Sequence, residues 1–102
     1  MKVWVDDVRT PPEDYDYWCK SVDEAKAKIT AVEKVRIFGS ITLIDVDHDA
    51  GEFAPFGGDY IKLLDWLEET GRSYPIRIHS MNPVGVENMR RIIQRNGWEE
   101  VF

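Results

Sequence analysis

An apolar run at residues 41–51, ITLIDVDHDAG, ends in acidic and imidazole side chains. The apolar part is typical of a buried β-strand. The polar side chains that follow it are Asp45, Asp47, His48 and Asp49. A buried carboxylate is costly unless a cation, a metal ion or several hydrogen-bond donors compensate its charge. The rest of the chain must therefore bring such groups to this strand end.

Two other apolar runs end in polar side chains in the same way. One is KVWVDD at residues 2–7, and the other is PIRIHSMNP at residues 75–83. The polar side chains at their ends are Asp6, Asp7, His79, Ser80 and Asn82. If the three runs are neighbouring parallel strands, all of these groups meet at the carboxyl ends of the strands, where open α/β sheets bind ligands.

Length and composition predict one globular domain over residues 1–102. The 102 residues are 43% hydrophobic and 31% charged, which is enough apolar material for a single core. The net charge of -6 repels a phosphate backbone and disfavours an extended nucleic-acid surface. The arginines at positions 90, 91 and 95 lie on a predicted helix and indicate a solvated helix face.

Cysteine use and the distribution of charge indicate the cellular setting. Cys19 is the single cysteine, so the chain has no internal disulfide and no thiolate-rich metal site. No apolar run approaches membrane-spanning length, and charged residues follow the N-terminus too soon for a signal peptide. We therefore expect a soluble, cytoplasmic protein that does not associate with a membrane.

Hydrophobic periodicity predicts five strands and three helices. Four predicted strands cover residues 2–6, 15–19, 75–80 and 98–102, and the remaining one lies in the run after residue 40. The predicted helices cover residues 22–32, 59–70 and 83–96. Ser21 with Glu24 forms a capping box before the first helix, and Asn82 with Pro83 is typical of a helix start.

This order of elements predicts an α/β fold with a five-stranded, mostly parallel sheet in the order 2-1-3-4-5, as in flavodoxin-like and receiver-like folds. Two helices of that fold are missing, so the remaining three should lie mainly on one face. The passage from strand 1 to strand 2 is short for a parallel crossover. Strand 2 is therefore either antiparallel or a short edge strand reached by an extended loop.

The face of the sheet without helices should mix charges with residues such as Trp4. Such a face is either solvated or covered by a second subunit. A homodimer through this face is therefore a hypothesis.

Three of the converging carboxylates suit a hard divalent cation. Magnesium and manganese prefer oxygen ligands, and Asp6, Asp7 and Asp47 are the best candidates to supply them. The alternative is that Asp6 and Asp7 only lead into the proline-rich segment and lie in water.

Two imidazoles and one helix start add the groups that phosphate chemistry needs. His48 and His79 could act as general acid and base, or bind a transition metal, or be structural groups at strand ends. The helix that begins at Pro83 directs backbone N–H groups and the positive end of its dipole to the same place, and Gly85 would allow an anion close approach. Arg9 could bind a phosphate, or could pair with a nearby aspartate.

The segments DDVRTPP, DVDHDAG and HSMNPVG follow the first, third and fourth strands in that order. Together they resemble the cyclic-phosphate processing receiver domain family, a divergent branch of the two-component receiver fold, over nearly the whole chain. The resemblance implies a receiver-like sheet and an activity on cyclic or terminal phosphates of nucleotides or RNA. The family's pattern would map to Asp6, Asp7, Arg9, Asp47, His48, Asp49, His79, Ser80 and Asn82.

From the residues and the resemblance together we expect three sets of site residues. The catalytic set is His48, His79 and Asp49. The substrate-binding set is Arg9, Ser80, Asn82 and Gly85. The metal-binding set is Asp6, Asp7 and Asp47.

Two functions remain open at this point. The first is a metal-dependent phosphoesterase that uses Mg or Mn and acts on a nucleotide or an RNA-terminal phosphate. The second is a module without catalysis, either a nucleotide or phosphate binder or a receiver-like signalling domain with Asp47 as acceptor. Phosphotransfer signalling is the weaker of these, because a phospho-accepting receiver uses a lysine just after its fifth strand and no lysine follows Lys62 here.

Overall fold

The computed structural model describes residues 1–35 and 39–102. Within these ranges five strands form one sheet in the order β2-β1-β3-β4-β5, and all neighbouring strands are parallel. The strands are β1 (Lys2–Val5), β2 (Tyr17–Cys19), β3 (Leu43–Val46), β4 (Ile76–Ile78) and β5 (Glu100–Val101). The predicted receiver-like fold is confirmed. Of the alternatives for strand 2, the structure has the short parallel edge strand.

The described residues contain three α-helices, which are α1 (Val22–Lys34), α2 (Ile61–Glu69) and α3 (Pro83–Asn96). Local sequence sets where two of them begin. The Ser21 hydroxyl accepts the Glu24 amide at 3.0 Å before α1, and the Asn82 side chain accepts the Gly85 amide at 3.0 Å at the start of α3. None of the helices in the described ranges is long and apolar enough to cross a bilayer.

The core lies between one face of the sheet and the three helices. Alternation along the strands directs Val3, Val5, Ile44, Val46 and Ile76 to this face, and all five are fully buried. Side chains from all three helices pack in the same cluster, which confirms that the helices cover one face. The opposite face carries the intervening residues of the strands.

The segment of residues 6–16 covers part of the helix-free face. Trp4 on this face is only 7% exposed, because its indole contacts the edge of the Tyr15 ring and donates from Nε1 to the Arg9 carbonyl at 2.8 Å. We expected this face to be either solvated or covered by a second subunit. Around Trp4 it is neither, because residues of the same chain cover it. The homodimer stays a prediction.

Candidate functional site

The carboxyl ends of β1, β3 and β4 bring polar side chains from distant parts of the chain together. Carboxylate oxygens of Asp6 and Asp47 and a ring nitrogen of His79 all lie within 4.8 Å of one another. Ladder hydrogen bonds hold these positions, since the Asp47 amide donates to the Val5 carbonyl and the His79 amide to the Val46 carbonyl, each at 3.0 Å. The site is therefore built on strand ends rather than on free loops.

His79 lies between two fully buried carboxylates. Its Nδ1 is 2.6 Å from Oδ1 of Asp45, and its Nε2 is 2.8 Å from Oδ2 of Asp6. Ionised carboxylates only accept hydrogen bonds, so a fully satisfied pair requires that both ring nitrogens donate. The imidazolium charge then compensates the two carboxylates, which would otherwise be expensive to bury.

The surroundings raise the pKa of His79 and lower the pKa of Asp6. Burial alone would lower the pKa of His79, but the bonds to Asp45 and Asp6 outweigh it and raise the pKa above its ordinary value. Burial would raise the pKa of Asp6, but bonds from the Arg9 and Val8 amides and from His79 lower it. Both shifts favour the charged forms.

Backbone amides and two indoles fix the turn after β1. Oδ1 of Asp6 accepts the amides of Val8 and Arg9, both at 2.9 Å. The indole of Trp18 donates to the Asp6 carbonyl at 2.8 Å, and that of Trp4 donates to the Arg9 carbonyl. Asp6 therefore has little freedom to rotate.

Asp7 and Asp47 complete the acidic cluster. Burial and the negative charges of Asp6 and Asp47 raise the pKa of Asp7 above its ordinary value. Gly51 has a φ of 53°, and a Cβ atom there would overlap Oδ2 of Asp7, so glycine makes room for this carboxylate. The cluster has excess negative charge that a cation would neutralise.

His48 follows Asp47 in the chain, donates its backbone amide to Oδ1 of Asp47 at 2.8 Å, and places its ring against the start of α3. Its Nδ1 is 2.7 Å from Oδ1 of Asp49, and its side chain is 16% exposed. The ring occupies the space beside Gly85, where a Cβ atom would overlap it. Gly85 thus admits the imidazole, whereas the sequence suggested that it would admit an anion.

The remaining expected substrate residues close the turn between β4 and α3. The Ser80 hydroxyl accepts the Asn82 amide at 3.1 Å. Arg9 is exposed and donates to the His79 carbonyl at 3.2 Å. The Gly85 amide already donates to Asn82, and Pro83 has no N–H group, so the Val84 amide is the remaining first-turn donor for an anion.

Residues 1–95 match the family model described as the cyclic-phosphate processing receiver domain. The chain belongs to this family. No curated protein and no solved structure matches the chain. In this cyclic-phosphate processing receiver domain, the acidic cluster lies at the edge of the sheet where α/β folds bind ligands.

The donor set of this receiver domain fits a divalent metal ion. Asp6 and Asp47 offer carboxylate oxygens, which magnesium and manganese prefer, within 4.8 Å of each other. Asp7, the third expected ligand, is not a member of that group, although the negative charges of Asp6 and Asp47 act on it. His79 fits less well as a ligand because both of its ring nitrogens face carboxylates. A second group of possible ligands is His48, Asp49 and Asp59. These side chains already have protein partners, because His48 bonds to Asp49 and Asp59 accepts the Ala50 amide at 3.0 Å.

The contacts that hold His79 from behind the site were not predicted. Asp45 was recognised as a buried carboxylate that needs donors, but its donors were not identified. They include His79 and the hydroxyl of Tyr15, whose pKa burial and the bond to Asp45 raise to about 12. Trp4 stacks on His79 with ring centroids 3.9 Å apart and planes 5° apart. A charge inside a buried strand was the only sequence signal for this cluster.

Exposed apolar side chains lie in the segments that leave the same edge of the sheet as the polar centre. Val8, Phe56, Met81 and Val84 are between 55% and 81% exposed, and all lie in the segments that follow β1, β3 and β4. Exposed apolar side chains at the same edge as a charged centre, here called the apolar rim, suit a ligand that has both a phosphate and an organic portion.

Proposed function

We propose that this domain is a metal-dependent phosphoesterase that opens or removes a cyclic or terminal phosphate of a nucleotide or an RNA end. One observation carries the proposal: Asp6, Asp47 and His79 meet within 4.8 Å at one edge of the sheet. The neighbouring His48, paired with Asp49, supplies a group for proton transfer. Membership of a family named for cyclic-phosphate processing supports the substrate class.

In this proposal Asp6, Asp7 and Asp47 hold a magnesium or manganese ion. When bound, the ion polarises the phosphoryl group and neutralises its charge. The protein's part is to keep these carboxylates close together; burial, and after it the negative charges of Asp6 and Asp47, raise the pKa of Asp7.

His48 is the proposed proton-transfer group. An ionised Asp49 only accepts, so Nδ1 of His48 donates to it and Nε2 is left as the basic atom. Nε2 takes a proton from the attacking water as the water oxygen bonds to phosphorus. It then gives a proton to the ester oxygen whose bond to phosphorus breaks. The product is the ring-opened phosphate monoester, and His48 returns to its starting state.

His79 has a different role in the proposal. The sequence predicted that it shares the proton transfer with His48. Its bonds to two buried carboxylates favour a fixed positive charge that orients Asp6. Arg9 and the Val84 amide are the proposed donors to the phosphate oxygens, since both lie beside the site.

One observation favours the alternative of a nucleotide or phosphate binder without catalysis. With both nitrogens of His79 engaged, His48 is the one of the two histidines left for acid and base catalysis. A binder would need the acidic cluster and the apolar rim but not the free Nε2 of His48.

The test is turnover of a panel of cyclic nucleotides, cyclic-phosphate-ended RNA oligonucleotides and their terminal monoesters, with magnesium or manganese. Ring-opened products and released phosphate are followed by chromatography and phosphorus NMR. We expect turnover that chelation with EDTA removes. His48→Gln should lose most of the turnover and keep substrate binding, because glutamine cannot carry the transferred proton.

Asp65→Asn on α2 is the matched control, because it removes one negative charge outside the site. It should turn over like the wild type. Binding of a nucleotide by calorimetry without any turnover would overturn the phosphoesterase and support the binder. Turnover unchanged in His48→Gln would show that the proton-transfer group is misassigned.

A further inference from the structure

Asp45 is a fully buried carboxylate in the middle of a strand. It lies on the helix-free face, in register with Trp4 on β1 and Arg77 on β4. Its partners are Nδ1 of His79 at 2.6 Å, the hydroxyl of Tyr15, and the Arg77 guanidinium at 3.5 Å. These donors compensate the charge of the buried carboxylate and hold it in one orientation.

The bond between Asp45 and His79 leads directly to the acidic cluster. The Nδ1 of His79 donates to Asp45, and the opposite nitrogen, Nε2, donates to Asp6 at 2.8 Å. Asp45, His79 and Asp6 therefore form a continuous chain of hydrogen bonds from the interior of the sheet to the proposed metal-binding carboxylates.

The stack on Trp4 cannot set this geometry alone. It fixes the plane of the His79 ring, with 5° between the two planes. A half-turn of the ring about its bond to Cβ keeps that plane but replaces both nitrogens by carbon atoms, and both hydrogen bonds are lost. The stack is the same in the two orientations, so the bond to Asp45 selects the one in which Nε2 meets Asp6.

We infer that Asp45 is a positioning residue of the site: it holds the His79 ring so that Nε2–H fixes Asp6 among the carboxylates that bind the metal. The inference rests on one part of the proposed function, which is that these carboxylates bind a metal ion. Asp45 touches neither metal nor substrate, and it acts through His79. Residues of this kind around a metal ligand change metal affinity on the order of 10-fold to 100-fold when they are replaced.

Asp45→Val and Asp45→Asn together separate the hydrogen bond from the charge. Both variants remove the same negative charge, but only asparagine keeps an oxygen that accepts from Nδ1. Calorimetric titration with manganese should give an affinity about 10-fold weaker in Asp45→Val. In Asp45→Asn the affinity should stay close to that of the wild type.

Tyr15→Phe is the matched control. It removes a different hydrogen bond to the same carboxylate, from Tyr15 to Oδ2, and leaves the Oδ1 bond to His79 in place. The variant should lose stability to urea yet bind manganese like the wild type. Equal affinities in Asp45→Val and the wild type would overturn the inference, as would equal losses in Asp45→Asn and Asp45→Val.

A measurement on the wild-type protein covers the case in which Asp45→Val does not fold. Nitrogen-15 NMR of the His79 ring should show two N–H protons that exchange slowly with water. Ring protons that exchange freely, or a ring populating both orientations, would overturn the inference. A wild type that binds manganese but turns over no substrate overturns the proposed function alone. A wild type that binds no manganese overturns both.

Discussion

The imidazole of His48 occupies the space beside Gly85 in which a side chain would otherwise lie. Gly85 is the third residue of α3, where alanine normally stabilises a helix by about 1 kcal/mol relative to glycine. Two effects of opposite sign therefore meet at this position. Their balance depends on whether the ring can move away.

Gly85→Ala should destabilise the domain despite the better helix propensity of alanine. The new Cβ would overlap the Cγ of His48, which can move only if the whole imidazole changes its χ1 rotamer and leaves Asp49, so we expect a loss of about 1–3 kcal/mol in the free energy of unfolding. Urea unfolding checks this. In a His48→Ala background the same change should become neutral or stabilising. Destabilisation of equal size in both backgrounds would contradict the contact.

Asp47→Asn should abolish metal binding and leave the fold intact. Asp47 is partly exposed at the end of β3, so losing its charge costs little stability, while the acidic cluster loses one of its ligands. Calorimetry with manganese and circular dichroism give the two readouts. Asp65→Asn should bind manganese normally. Unchanged affinity in Asp47→Asn would show that the ion binds elsewhere.

Stability should fall as the pH rises through the neutral range. The folded state raises the pKa of His79 from 6.5, so the stabilisation from its charge is complete below about pH 6.5 and is lost as the pH rises through the folded value. Urea midpoints in EDTA between about pH 6 and pH 8.5 measure this, below the region in which Cys19 with its raised pKa would contribute. His79→Gln should be less stable and should lack this decline. An equal decline in the variant would assign it to other groups.

The acid side has the opposite sign. Because the pKa of Asp6 is lowered from 3.8, its stabilisation is present above about pH 3.8 and is lost as the pH falls through the lower folded value. The stabilising contributions of Asp6 and His79 are both complete only between these limits.

Trp4 should contribute to stability in two separable ways. Trp4→Leu loses both the stack on His79 and the hydrogen bond to Arg9, for which we expect about 3 kcal/mol. Trp4→Phe keeps an aromatic ring over His79 and loses the N–H donor, for which we expect about 1 kcal/mol. Chemical denaturation checks both. Equal losses would show that the stack contributes nothing beyond the hydrogen bond.

Local signals predicted the starts of two helices and the order of the strands along the chain. Ser21 and Asn82 cap their helices through contacts three residues away, which lie within the reach of sequence patterns. Strand ends were less accurate, since the strand predicted at residues 98–102 is Glu100–Val101 in the structure. Pairing of backbone groups, rather than composition, decides where a strand stops.

The direction of β2 and the partners of Asp45 depend on contacts between distant residues. The Asp16 amide bonds to the Lys2 carbonyl at 2.9 Å, which aligns β2 beside β1, and Tyr15 reaches Asp45 across the sheet. Neither contact joins residues at a regular sequence spacing, so no sequence pattern predicts it. The convergence of Asp6, Asp47 and His79 was predictable only because parallel strands bring their carboxyl ends to one edge.

The connection from β1 to β2 both shields one face of the sheet, through Tyr15 against Trp4, and shapes the acidic centre at the sheet's edge. Surface connections usually tolerate changes of length. Shortening this one should expose Trp4 on the helix-free face to water and should also release Asp6 from the amides that hold it. Insertions should therefore be engineered elsewhere, for instance in the turn after Gly71, with Gly71 itself kept because its φ is 69°.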